Sequence, residues 1–171
     1  IHMMLNILVI GIKNNKLIKF MRLPLITLSL LCFSLNNFGS YLVVDVVDGD
    51  TLWMLENGVK KKLRLSQIDA PERAQPFGDE SADFLEELIL NKEINVIFQS
   101  KKDRYGRYLG EIFLDNTNIN KLLVRNGFAW VYVQYVTDKT YYEDLKIAKK
   151  QKLNIWSSDE QISPWEWRRK D

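Results

Sequence analysis

The sequence predicts a mainly-β α+β domain, five short strands closed into a small barrel with three helices packed on it. Three observations carry this. Short β-branched and apolar runs are separated by turn signals, and helical periodicity is confined to three stretches. No internal repeat or low-complexity linker appears along the chain. Residues 41–171, about 130 in all, suffice for one ordinary domain with a buried core.

Each element has its own signal. Tyr41 to Asp48 and Thr51 to Glu56 are β-branched and apolar strands. Asn57-Gly58 is the strongest short hairpin turn in the chain, because both residues tolerate positive φ. Val59 to Ser66 returns as the third strand, with Lys60-Lys61-Lys62 near its start. Ala70 to Gly78 holds Pro71 and Pro76 and reads as loop. Asp79 to Leu90 carries Ala82, Leu85, Leu88 and Ile89 at helical spacing, with acids in its first turn.

Glu93 to Gln99 is the fourth strand, Asp103 to Gly106 a turn, and Arg107 to Leu114 the fifth strand. Ile119 to Arg125 is a short helix stopped by Asn126-Gly127. Thr140-x-x-Glu143 predicts a capping box that opens the last helix, which runs to about Lys152. The order is three strands, a helix, two strands, then two helices. It fits a five-stranded OB-type Greek-key barrel. The tail from Pro164 to Lys170 is aromatic and basic; packing of its tryptophans is favoured over stacking on nucleic acid.

Residues 1–40 are expected to lie outside the domain, 41–171. Ile1-His2-Met3 reads as a cloning scar, and residues 4–20 as an upstream segment. From Met21 the pattern is that of a signal peptide: Arg22, an apolar run from Leu23 to Phe33, then small residues at Gly39 and Ser40. The run is shorter than the roughly 20 residues of a membrane span. A secreted or periplasmic protein is expected, with no stable membrane association once the leader is cleaved. Residues 1–40 carry four basic residues and no acids. The rest therefore holds 20 basic against 22 acidic side chains, net −2. Binding of a polyanion through bulk charge is thereby disfavoured, and phosphate contacts must come from locally placed cations.

Two absences narrow the chemistry. Cys32 is the only cysteine and His2 the only histidine, and both precede residue 41. The domain has no disulfide, thiolate nucleophile or Cys-ligated zinc, and no histidine-dependent hydrolysis is open to it.

What remains is a set of carboxylates and arginines. Asp50 lies in a tight turn between two strands and Asp69 where the third strand ends. A meander brings both to one barrel rim, where they repel unless a cation sits between them. An all-oxygen site suits Ca²⁺ or Mg²⁺ and argues against zinc. An isolated Asp-Gly-Asp is more often a plain turn. Glu72, stiffened by Pro71, is placed to take a proton from an attacking water or to orient it. A loop glutamate chosen at random is simply a surface acid. Arg64 and Arg107 match the equatorial oxygens of a pentavalent phosphorus with forked donors. Gly106 permits an unusual backbone turn just before Arg107. Each arginine alone is equally well an ordinary ion pair with Asp69, Glu72 or Asp103.

Taken together, the set resembles the staphylococcal nuclease (thermonuclease) family across residues 41–157. The carriers are Val47-Asp48-Gly49-Asp50-Thr51, Arg64-Leu65 through Asp69-Ala70-Pro71-Glu72, Asp103-Arg104-Tyr105-Gly106-Arg107, Leu123-Val124-Arg125-Asn126-Gly127 and Lys152-Leu153-Asn154-Ile155-Trp156-Ser157. The resemblance implies Ca²⁺-dependent cleavage of DNA and RNA that leaves 3′-phosphates. It implies that Asp50 and Asp69 ligate the metal and that Ala70 offers a backbone carbonyl. It further implies Glu72 as general base, Arg64 and Arg107 on the phosphate, and Arg104 and Tyr105 near a terminal phosphate. A base-stacking tyrosine falls near Tyr132. Ala70 replaces the threonine of the best-known member, and the loop after Glu72 is shorter and lacks lysine.

The leading expectation is a monomeric nuclease acting on DNA and RNA. One rival is a catalytically inactive module of the same fold that binds nucleic acid or protein. Another is a membrane-tethered scaffold stabilised by calcium. All five positions that such inactive modules tend to lose are filled here.

Overall fold

The computed structural model describes residues 39–170. Nearly all of the expected leader, Cys32 included, lies outside the described residues. The strands are β1 (Ser40–Asp48), β2 (Thr51–Glu56), β3 (Val59–Leu65), β4 (Ile68–Asp69), β5 (Glu93–Phe98), β6 (Tyr108–Leu114), β7 (Thr117–Asn118) and β8 (Trp130–Val131). The helices are α1 (Gly78–Ile89), α2 (Ile119–Arg125), α3 (Tyr141–Gln151) and α4 (Pro164–Trp167).

β3, β2, β1, β5 and β6 lie side by side in that order as antiparallel neighbours, and β6 then pairs parallel with β3 to close the barrel. The closing register is Leu63↔Tyr108, Arg64↔Leu109 and Leu65↔Gly110. Closure leaves no open edge between these two strands. The fold is the mainly-β OB-type barrel that the sequence predicts. The hairpin β2–β3 turns at Asn57 and Gly58, both with positive φ. β1 slips register between Val43 and Asp45 and again between Val46 and Asp48. These bulges bend the strand around the barrel and place Val43 and Val46 inside, three residues apart rather than two.

Leu52, Met54, Leu63, Leu65, Ile94 and Ile112 point inward from the strands and are fully or nearly fully buried. Leu85 and Ile89 of α1 and Leu123 of α2 join the same core. Each such aliphatic side chain contributes about 1.5–3 kcal/mol through burial. Outside the core, Phe84 stacks on Phe128 at 4.4 Å, and the Ser81 hydroxyl donates to the Phe128 carbonyl at 2.8 Å. Together they fasten α1 to the segment after α2. No helix among the described residues is long and apolar enough to cross a membrane.

Three local expectations are revised. β3 stops at Leu65, and Gln67 takes a left-handed conformation, so Asp69 sits on the separate short strand β4, paired with Trp130 of β8. The Thr140 capping box does not form, because Asp138 takes both the Thr140 amide (2.9 Å) and its hydroxyl (2.7 Å). Glu166 instead reaches back to the Ser163 amide at 3.3 Å and opens α4, a fourth helix that the pattern of the tail did not announce.

The Asp138 carboxylate is held down to about 2 from an ordinary 3.8 by Lys121 and by the bonds from Thr140. A depressed pKa means that its stabilisation is fully present above 3.8 and is lost as pH falls through about 2. Asp138→Asn is therefore expected to flatten the loss of stability between those two values, read as the change in urea midpoint with pH.

Candidate active site

β2 and β3 are in register at Thr51↔Arg64, which sets the arginine directly beside the turn that carries Asp50. Asp50 closes that turn by donating its amide to Asp48 Oδ1 at 3.0 Å. Its own carboxylate is almost wholly buried. Asp50 Oδ1 accepts from Arg64 Nε at 2.9 Å and from the Thr51 hydroxyl at 3.1 Å. Asp50 Oδ2 accepts from the Ala70 amide at 2.7 Å. Asp69, 1% exposed, takes Arg64 Nη2 on Oδ1 at 2.7 Å. One guanidinium thus spans both buried acids, and its Nη1 also donates to the Leu65 and Ile68 carbonyls. Burial, with Asp48 and Asp69 nearby, still pushes the Asp50 carboxyl well above the usual range despite Arg64 and the Ala70 amide.

Glu72 rises from the loop after β4 and is only partly covered. Its amide donates to Gln75 Oε1 at 3.2 Å, and its carbonyl accepts the Gln75 amide at 2.8 Å. Gly78 packs against this loop so closely that a Cβ there would lie 1.9 Å from the Glu72 carbonyl oxygen. The start of α1 fixes the backbone beneath Glu72.

Arg107 enters from the turn before β6, where Gly106 has φ +77. Asp103 holds it with Oδ2 on Nε at 2.7 Å and Oδ1 on its amide at 2.9 Å. Burial raises the Asp103 carboxyl, but the bonds from Arg107 outweigh it and bring the pKa down. Arg107 Nη1 lies 3.5 Å from the Thr51 hydroxyl, so Arg64 and Arg107 flank the same threonine. Tyr105 is well exposed, with the guanidiniums of Arg104 and Arg107 over its ring at 4.7 and 5.4 Å.

Tyr132 also lines the cleft. Its amide donates to the Gln67 carbonyl at 2.9 Å. Gln67 Oε1 gathers the Thr137 amide (3.0 Å), the Thr137 hydroxyl (3.2 Å) and the Asp138 amide (2.8 Å). A single buried glutamine therefore ties the loop that bears Tyr132 to the strand that bears Asp69.

All nine residues singled out from the sequence line one cleft of about 680 Å³. Five carboxylates (Asp48, Asp50, Asp69, Glu72, Asp103) there face four arginines. Sequence reasoning gave no role to Gln67, inside the Arg64–Glu72 motif, to Gln75, or to Arg168, one of the charges of the basic tail. Arg168 is the fourth arginine of the cleft and pairs with both Asp69 and Glu72.

The donor set fits a hard cation. It is entirely oxygen, and two of its carboxylates are buried together. Among the described residues, no group of three or more acidic, histidine or cysteine side chains forms a closed cage. A cation held by Asp50 and Asp69 would thus be completed by main-chain carbonyl, water or substrate oxygens.

The chain is similar to several proteins named as nucleases. A family model described as staphylococcal nuclease homologue matches residues 62–158. An "uncharacterized endonuclease" of Escherichia coli O157:H7 is 40% identical over 127 residues, spanning 74% of this chain and 82% of its own length. A "micrococcal nuclease" of Shigella flexneri is 39% identical over 138 residues, 74% of this chain and 79% of that one. The "staphylococcal-like nuclease CAN1" of Arabidopsis thaliana is 33% identical over 110 residues, 64% of this chain and 34% of that one.

Gly78→Ala is expected to push the Glu72 loop off α1 and to cost about 1–3 kcal/mol of stability in urea unfolding. Amide resonances of residues 72–78 will shift, while those of β5 stay in place.

Proposed function

Because the chain belongs to the staphylococcal nuclease family, we propose that it is a Ca²⁺-dependent endonuclease. It hydrolyses DNA and RNA phosphodiesters at the 5′-oxygen and leaves 3′-phosphate ends. The observation that carries this reading is the convergence of Asp50, Asp69, Glu72, Arg64 and Arg107 on one cleft from four separate parts of the chain.

Asp50, Asp69 and the Ala70 carbonyl would hold the ion, which supplies charge neutralisation at the scissile phosphate. Arg107 is placed to bind the phosphate from beside Thr51, exchanging its contact with Asp103 for phosphate oxygens. Arg64 does the same from the strand, releasing the aspartates that it now bridges. Planar donors match the equatorial oxygens as negative charge gathers there, which a lysine ammonium cannot do. Glu72, the least buried of the three acids, takes the proton of the attacking water or orients it. Water forms the new bond to phosphorus, the bond from phosphorus to the 5′-oxygen breaks, and that oxygen takes a proton from solvent and leaves as a hydroxyl.

Tyr132, which lines the same cleft, offers its ring face to a neighbouring base. Arg104 and the Tyr105 ring beneath it contact the terminal phosphate. The leader from Met21 directs the protein to the periplasm or the medium, where this activity would be exerted as a monomer.

Cleavage of DNA and RNA by residues 41–171 is expected with Ca²⁺, not with chelator, and the products will carry 3′-phosphates. A folded protein that binds calcium without cutting would make the inactive binding module the better reading. Arg64→Lys, Arg107→Lys and Glu72→Gln are each expected to lose roughly 10²–10³ in rate while remaining folded. Near-wild-type turnover in any one would remove that residue from its role.

A further inference from the structure

Arg168 reaches the site from 99 residues beyond Asp69. Its Nη2 lies 2.7 Å from Asp69 Oδ2, its Nη1 2.6 Å from Glu72 Oε1 and 3.4 Å from Asp69 Oδ1. Several contacts deliver it there. Gln75, which already bonds the Glu72 backbone, donates from its side chain to the Ile162 carbonyl at 2.6 Å. Pro164 is buried at the start of α4, and Trp165 packs edge-on against Trp130 at 5.6 Å. The Trp165 ring also lies parallel to that of Tyr132, centroids 5.6 Å apart.

The hydrogen bonds of the two aspartates explain what Arg168 does there. Arg64 occupies Oδ1 of both, and the Ala70 amide occupies Asp50 Oδ2. Asp69 Oδ2 is the remaining oxygen of the buried pair, and Arg168 takes it. Asp69 itself is 1% exposed, whereas the Arg168 side chain is 41% exposed and borders open cleft. The acid is fixed and the cation on it is free to leave.

We propose that Arg168 is a tethered counter-ion of the metal site. It stands on Asp69 Oδ2 while no divalent cation is bound, and gives that oxygen up when one enters. The inference rests on the reading that Asp50 and Asp69 hold a calcium ion. A guanidinium and a divalent cation cannot share one carboxylate oxygen without strong repulsion. Arg168 therefore competes with the ion it makes room for, and sets the calcium concentration at which the site fills. A merely structural tail predicts the opposite sign, because loosening it would disorder the Glu72 loop and weaken binding.

The test is calorimetric titration of CaCl₂ into the whole protein and into its Arg168→Gln and Arg168→Lys variants, at fixed pH and ionic strength. Arg168→Gln keeps the length and loses the charge. It is expected to bind calcium at least about tenfold more tightly, the scale on which close charge pairs couple. Arg168→Lys, which keeps the charge, is expected to stay near wild type. Equal or weaker binding by Arg168→Gln while wild type binds calcium overturns the counter-ion role alone. Absence of calcium binding in all three proteins overturns the calcium reading beneath it.

Discussion

Asp50 and Asp69 are buried together, and the surrounding cleft is arranged around that burial. Two carboxylates removed from water at close quarters repel each other, and nearby apolar packing offers neither any relief. The chain answers with Arg64 across both, the Ala70 amide on one and Arg168 on the other. These contacts bring the β1–β2 turn, β3, β4 and the residue that follows α4 to a common point. The breaking of any one of them exposes the repulsion again. A buried ion pair of this kind adds little to stability on balance.

The barrel makes that arrangement rigid. Arg64 lies at the β3–β6 seam, with hydrogen-bonded neighbours on both sides, and Arg107 immediately precedes β6 at the same end. The two arginines therefore keep their spacing through main-chain pairing rather than through side-chain contact. Lys60 and Lys62 lie over the ring of Trp53 on the same hairpin, at 4.8 and 5.5 Å. Positive charge thus extends along β2–β3 away from the arginines in a protein whose domain carries net negative charge.

Much of this was legible from sequence because its causes are local. Asn57-Gly58 demands positive φ at two successive residues, and the hairpin turns there. The spacing of Ala82, Leu85 and Ile89 demands a helix, and all three are buried on one. The motif residues were legible as chemistry because few residue types can do such work without histidine or cysteine. What escaped is mostly non-local. The pairing of Asp69 with Trp130 depends on a strand of two residues whose partner lies far along the chain. The Thr140 cap failed because Asp138, two residues upstream, offered a better acceptor to the same groups. Gln67 and Gln75 read as ordinary polar residues, and only the fold shows that each joins two loops. Arg168 looked like one of several charges in a basic tail.

The way α4 is attached has a consequence for how the molecule comes apart. It is a single turn, held by the Trp165 ring, the Gln75 side chain and the Arg168 ion pairs, with no strand ladder joining it to the barrel. Segments held in this way open on their own, while the barrel exchanges its amide protons only on global unfolding. On warming, one wall of the cleft is therefore released before the sheet loses any pairing. Far-ultraviolet circular dichroism would still report a folded protein after the site had already come undone.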